Sequence, residues 1–185
     1  MSNKNICPWW MGYLLLIPLR KLSHNPVKIL KPYIKEGMTV IDYGCAMGYF
    51  SLPMAKMVGR TGKVYCFDIQ EKMLQQLSAR AEKAGLTESI KPMLIAADEN
   101  TEHLKNTADF ALLFAVAHEV ENQDELFARL AGMLKPKAQL LFAEPKGHVS
   151  LKAFKLSIQK AVKCGFTQKE TLEVGKGYAV LLEKE

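Results

Sequence analysis

The run Val40-Ile41-Asp42-Tyr43-Gly44-Cys45-Ala46-Met47-Gly48 holds the residue types best suited to gripping a small ligand. It reads as a strand, a tight turn of small residues and a helix start, so backbone can approach a ligand closely and helix N–H groups can face it. A dinucleotide fingerprint would place glycines at 44, 46 and 49, where the chain has Gly44, Ala46 and Tyr49. That reading fails at two of three positions. Other side chains that could do chemistry lie downstream: Asp68, then Asp98 and Glu99, then His118 with Glu119, then His148. The four cysteines (Cys7, Cys45, Cys66 and Cys164) are scattered with no CxxC pair, which points to neither a metal site nor a disulfide framework. A reducing cytoplasm is the expected location.

The elements that must position these residues follow from the hydrophobic pattern. From Met38 onward, short apolar runs alternate with amphipathic stretches, the signature of βα units around a parallel sheet. Strands are predicted at Thr39–Asp42, Lys63–Phe67, Lys91–Ala96, Phe110–Phe114 and Gln139–Ala143. Helices are predicted at Gly48–Val58, Glu71–Ala84, Gln123–Leu134 and Ser150–Cys164, each followed by a helix-stop glycine or proline. Thr171–Val174 and Tyr178–Leu182 flank Gly175-Lys176-Gly177 and read as a hairpin closing the sheet. No linker divides the 185 residues, so a single α/β domain is expected: a core over 38–185 and a helical N-terminal extension within 1–37.

An acid two residues before Gly44, with small residues at 44, 46 and 48, resembles the first motif of class I S-adenosylmethionine-dependent methyltransferases, D/E-x-G-x-G-x-G. The resemblance covers about residues 38–183. It implies a Rossmann-like, seven-stranded, mostly parallel sheet with a C-terminal antiparallel hairpin and helices on both faces, and S-adenosyl-L-methionine as cofactor. Asp68, at the end of Val64-Tyr65-Cys66-Phe67-Asp68, is then the carboxylate that accepts both ribose hydroxyls. Ala97, Asp98 and Glu99 resemble the family's adenine corner, with Asp98 accepting from the exocyclic amine. Asp42 and the turn Tyr43, Gly44, Cys45, Ala46, Gly48 and Tyr49 would address the methionine end. Ile69 and Met73 would pack on ribose or adenine, or serve as core, and Phe114 and Ala115 would bring backbone near the methionyl group. Ala46 stands where the family usually has its second glycine. Leu134-Lys135-Pro136-Lys137-Ala138 looks like the family's LKPGG turn with both glycines replaced.

The chain after the fourth strand, Phe114-Ala115-Val116-Ala117-His118-Glu119, lacks the [DNS]-P-P-[YF] turn of enzymes acting on base or glutamine amino groups. His118-Glu119-Val120 and Glu144-Pro145-Lys146-Gly147-His148-Val149 look like the small-molecule branch, which includes ubiquinone/menaquinone-type C-methyltransferases. His118 lies near the carboxyl end of the fourth strand, where open α/β sheets bind ligands, and its ordinary pKa of about 6.5 suits proton exchange. Glu119 would orient it or face solvent, and His148 is a second candidate. His24 and His103 carry no such positional argument.

Residues 1–37 hold six basic groups and one acid, so they carry +5 of the net charge of +6. The apolar run Ile6–Leu19 is broken by Pro8, Gly12 and Pro18 and is too short for a membrane span, and no cleavage-site pattern follows it. Trp9, Trp10, Tyr13 and Leu14-Leu15-Leu16 are candidates for a lid that excludes water, with Tyr13 touching substrate or cofactor. With Arg20, Lys21, Lys28 and Lys31, the same segment could rest on an anionic membrane surface. The expected substrate is a small apolar or aromatic molecule, and no metal is expected. An RNA or protein methyltransferase, or a cofactor-binding protein without turnover, are the competing readings. Nucleic acid ranks second because the core is close to neutral.

Overall fold

The computed structural model describes residues 24–95 and 101–185. Seven strands form one sheet: β1 (Thr39–Tyr43), β2 (Lys63–Asp68), β3 (Ile90–Leu94), β4 (Ala108–Phe114), β5 (Leu134–Pro145), β6 (Phe166–Leu172) and β7 (Gly177–Lys184), in spatial order β3-β2-β1-β4-β5-β7-β6. β1 to β5 pair in parallel, and β7 runs antiparallel between β5 and β6. The helices are α1 (Pro26–Leu30), α2 (Ser51–Val58), α3 (Glu71–Lys83), α4 (Gln123–Met133) and α5 (Leu151–Lys163).

Parallel strands covered on both faces need apolar side chains at nearly every position. β4 meets that need: Phe110 and Leu112 join the cluster packed by α2 and α3, while Ala111 and Leu113 join the one packed by α4 and α5. The sheet therefore has helices on both faces. Its order reverses direction between β1 and β4, and that break opens the crevice where such sheets bind ligands.

Boundaries differ from the sequence reading where backbone conformation overrides pattern. The first core helix begins at Ser51 rather than Gly48, because Gly48 has φ +80°. β5 starts at Leu134, so the Leu134–Ala138 stretch read as a turn continues the strand, with Lys137 at φ +67° and a register shift against β4. β6 covers Phe166–Leu172 instead of Thr171–Val174; it is an edge strand whose exposed Lys169 and Glu170 discourage pairing with other chains. Of the expected N-terminal extension, the described part holds α1, capped by Asn25 Oδ1, which accepts from the Val27 and Lys28 amides at 3.0 and 3.3 Å. Trp9, Trp10, Tyr13 and the leucine cluster lie outside the described residues. Among the described residues no helix is long and apolar enough to cross a membrane.

Candidate active site

The turn after β1 is clamped onto the end of β2. The Gly44 and Cys45 amides both donate to the Phe67 carbonyl at 2.8 and 2.9 Å, and the Ala46 amide donates to Asp68 Oδ2 at 2.9 Å. Three residues here have positive φ, Gly44 at +78°, Ala46 at +47° and Gly48 at +80°. A methyl on Gly44 would also lie 2.2 Å from Val116 Cγ2, so this glycine is needed for conformation and for close approach. Gly48 serves a different purpose, since a methyl there would meet Leu77 Cδ1 at 2.3 Å and Leu52 Cδ1 at 2.7 Å. It lets α3 and α2 pack tightly and does not line the cavity.

Asp68 closes the turn from the other side. Its Oδ1 accepts from the Gln70 amide at 2.8 Å, and the residue is only 7% exposed. Burial pushes its carboxyl pKa up, while the backbone N–H groups of Gln70, Ala46 and Ile69 pull it down. Asp42 is buried on the α2 side of β1, where Oδ2 accepts from Ser51 Oγ at 2.5 Å. Cys45 lies beside Cys66, and burial raises its thiol well above the usual range. It is a packed, protonated group rather than a nucleophile.

A cavity of about 1040 Å³ runs from this turn along the carboxyl ends of the strands. Asp42, Tyr43, Gly44, Cys45, Ala46 and Tyr49 line one end of it, together with Asp68, Ile69 and Met73. Phe114 and Ala115 line the middle, where Phe114 packs against Phe50 (ring centroids 4.7 Å apart) and, edge-on, against His24 (5.3 Å). Ala115 has φ +60°, and its amide donates to the Ala143 carbonyl at 2.8 Å. His118 and Glu119 line the far end, on the short 3-10 turn Ala117–Glu119. Ala97, Asp98, Glu99 and Tyr13 lie outside the described residues.

The partner of His118 is not its neighbour Glu119. Glu144, at the end of β5 and 3% exposed, accepts from the His118 backbone amide through Oε1 (3.2 Å) and meets His118 Nδ1 through Oε2 (2.5 Å). That contact is the main cause of a raised His118 pKa, with burial opposing it and Glu119 adding a smaller push upward. Because the folded pKa exceeds the unfolded one, the pair's stabilisation is complete below about pH 6.5 and is lost as pH rises through the folded value. The His148 ring stands perpendicular to His118 at 5.4 Å. Sequence reasoning gave Glu144 no role. Its signal was an acid ending the apolar run Leu140–Ala143, an unusual place for a charge without a partner. His24 also reaches the cavity, with its carbonyl accepting from the Tyr49 hydroxyl at 2.8 Å, and no sequence signal marked it.

A backbone-lined turn facing a carboxylate held by two amides, at the mouth of a cavity of this size, fits an adenosyl group with ribose hydroxyls to donate and a polar amino-acid tail. Among the described residues no group of three or more His, Cys, Asp or Glu is placed to hold a metal ion.

The strand order and the site define a class I S-adenosylmethionine-dependent methyltransferase fold. Residues 34–178 match the methyltransferase domain family described as Methyltransf_31, and the chain belongs to it. A SAM-dependent methyltransferase from Aquifex aeolicus superposes with a TM-score of 0.86 at 26% identity, covering 97% of this chain and 100% of that one. A ubiquinone/menaquinone biosynthesis C-methyltransferase, UbiE, from Hydrogenovibrio crunogenus is 29% identical over 111 residues, 60% of this chain and 43% of the relative. A probable cobalt-precorrin-6B C(15)-methyltransferase (decarboxylating) from Saccharolobus solfataricus is 34% identical over 74 residues, 40% of this chain and 37% of the relative. The chain thus spans about two fifths of the length of these curated relatives.

Ala46 gives a first prediction. An L-residue in the left-handed region carries a cost of about 1–2 kcal/mol, and glycine's larger unfolded-state entropy returns about 0.4–1 kcal/mol of any gain. Ala46→Gly is expected to leave the melting temperature unchanged or raise it by a few degrees, with S-adenosylhomocysteine affinity within a few-fold of wild type. Thermal melts and calorimetric titration read both, and a clear loss of stability would mean that Ala46 is not strained.

Proposed function

We propose that the chain transfers a methyl group from S-adenosylmethionine to a small, apolar or aromatic acceptor. The observation that carries this reading is the continuity of one cavity from the Gly44–Ala46 turn and Asp68, past Phe114, to His118. One end offers backbone and carboxylate acceptors for an adenosyl and amino-acid group. Past the aromatic wall of Phe50 and Phe114, the other end offers His118, an imidazole able to exchange protons near neutral pH, with His148 beside it. The cofactor, when bound, supplies a methyl group already activated on a sulfonium, so the protein's main task is to hold an in-line approach.

In this reading Asp68 holds the ribose hydroxyls and Ile69 and Met73 pack beside them. Asp42 acts through Ser51 to set the start of α2, while the turn Tyr43–Ala46 and Tyr49 hold the amino-acid end. Ala97, Asp98 and Glu99 complete the adenine end. Phe114 and Ala115 form the wall between cofactor and acceptor, His118 meets the acceptor, and Glu119 adds negative charge beside it. The segment with Trp9, Trp10 and Tyr13 is the candidate for excluding water from the site, while Leu30 and Ile34 of the same extension are buried in the core beside α2. The small-molecule names of the UbiE and precorrin relatives support the acceptor class. The free thiols Cys45, Cys66 and Cys164 suit a reducing cytoplasm.

The test is methyl transfer from labelled S-adenosylmethionine into a cell extract, followed by partition. Label in the solvent-extractable fraction is expected. Label lost to nuclease or protease treatment would instead assign an RNA or protein acceptor, and binding of S-adenosylhomocysteine without any labelling would assign a protein that binds the cofactor without turnover.

A further inference from the structure

Glu144 sits at the end of a buried strand, yet its two oxygens engage a single residue on the neighbouring strand's loop. Oε1 takes the His118 backbone amide and Oε2 takes the ring at Nδ1. A carboxylate that only needed burial could be satisfied by any donors. Gripping main chain and ring of one histidine together fixes both where the imidazole stands and how it is turned. An ionised carboxylate can only accept, so the ring nitrogen facing it must carry the proton. In neutral His118 that leaves the proton on Nδ1 and the free lone pair on Nε2. A second-residue carboxylate that sets a histidine tautomer in this way is a recurrent device for preparing a base.

We propose that Glu144 is a positioning residue that holds His118 as a proton acceptor through Nε2, and that the acceptor is therefore a molecule whose reacting atom bears, or is conjugated to, a hydroxyl that must lose its proton. This rests on the methyltransferase reading above. In the step, the acceptor's O–H bond breaks and its proton passes to His118 Nε2. The electron pair left on the acceptor, at oxygen or at a conjugated carbon, forms the bond to the methyl carbon, and the pair of the broken S–CH3 bond stays on sulfur, giving S-adenosylhomocysteine. Where carbon is methylated, its own proton leaves afterward and restores the aromatic or enolic system. A carboxylate acceptor would need no such base, and a thiol, with a pKa of about 8.5, would need it less.

The groups around the imidazole are consistent with a proton that has to leave again. Glu144 faces it from β5, Glu119 from its own turn, and the exposed His148 from the loop after β5, with its ring 5.4 Å away. Glu121 and Glu125 line the same cavity together with Arg129 of α4, Lys146 and Lys176, so carboxylates outnumber cations around the imidazole.

The experiment follows the His118 ring nitrogens by NMR in the full chain labelled with nitrogen-15, across pH, with the signal assigned by its loss in His118→Gln. Wild type is expected to show the Nδ1–H tautomer and a midpoint above 6.5. Glu144→Gln should lower the midpoint and shift the tautomer mixture toward Nε2–H. An Nε2–H tautomer in wild type, which requires no variant to fold, overturns the proposal. So does a Glu144→Gln protein with unchanged tautomer and midpoint.

The companion measurement is the initial rate of label incorporation into the solvent-extractable fraction of a cell extract. Neutral His118 is the active form, so the wild-type rate should climb with pH through the raised midpoint. Glu144→Gln should move that climb to lower pH and reduce the plateau about 10–100-fold, and His118→Gln should reduce it about 100-fold or more. A lowered plateau with an unmoved pH profile would make Glu144 merely structural. S-adenosylhomocysteine binding should stay within about threefold in both variants. If wild type binds neither S-adenosylmethionine nor S-adenosylhomocysteine, the methyltransferase reading fails, and the ring tautomer still decides the role of Glu144.

Discussion

Replacing Asp68 with alanine is expected to weaken S-adenosylhomocysteine binding by roughly 100-fold or more while leaving the protein folded. The carboxylate is pinned by the Ala46 and Gln70 amides at 2.9 and 2.8 Å, so its remaining lone pairs are oriented before any ligand arrives. A hydrogen bond to a charged group contributes about 1.5–3 kcal/mol, and about 1.4 kcal/mol is a factor of ten in affinity, so losing acceptors for two ribose hydroxyls accounts for the figure. Alanine also leaves the Ala46 amide without its partner and loosens the turn. Asparagine keeps the shape but turns one acceptor into a donor that must face an amide donor or the ribose, and it should cost at least tenfold by the same reasoning. Calorimetric titration measures both. An Asp68→Ala protein within threefold of wild type would remove Asp68 from the cofactor site.

Gly44→Ala should produce the largest loss of stability of the variants considered. Two separate costs add: an L-residue at φ +78° costs about 1–2 kcal/mol, and relieving a 2.2 Å overlap with Val116 costs about 1–3 kcal/mol. A fall in stability of about 2–5 kcal/mol, or very roughly 4–20 °C in melting temperature, follows for a chain of this length. The double substitution Gly44→Ala with Val116→Ala separates the two. It should recover the steric part, relative to Val116→Ala alone, and leave the backbone part in place. If the double variant gains nothing, the overlap is absorbed by a simple rotation of Val116.

How far the site could be read from sequence depended on how local its geometry is. The strand, turn and acid at 40–48 are contiguous, and Asp68 ends the next apolar run, so adjacency along the chain stood in for adjacency in space. The His118–Glu144 pair was hidden because it depends on strand register. β4 and β5 align Phe114 with Ala143, and only this offset carries the residue after Ala143 to the loop after Phe114. Pattern alone cannot set that offset when both strands are apolar throughout. The starts of α2 and β5 differ for another reason: the left-handed Gly48 delays α2, and Leu134 pairs with Ala108 ahead of an irregularity that contains Lys137 at φ +67°, neither of which side-chain periodicity reports. β6 was shifted because an exposed edge strand rich in charge has little apolar alternation to detect.

The fastening of the helices is uneven. Asn25, Asn122 and Ser150 tie down the first turns of α1, α4 and α5 with side-chain oxygens, whereas α2 and α3 begin at Phe50 and Gln70 with no side-chain cap. Those two uncapped ends border the cavity. An uncapped first turn frays more readily and exchanges its amide hydrogens sooner than a capped one. A bound molecule stabilises the state that holds it, so cofactor occupancy would tighten these two helix starts, which otherwise hold through the Ser51–Asp42 bond and the Gln70 amide on Asp68. The cofactor would then act here as the missing cap as well as a reagent, and starvation for it would register first as local loosening at Phe50 and Gln70.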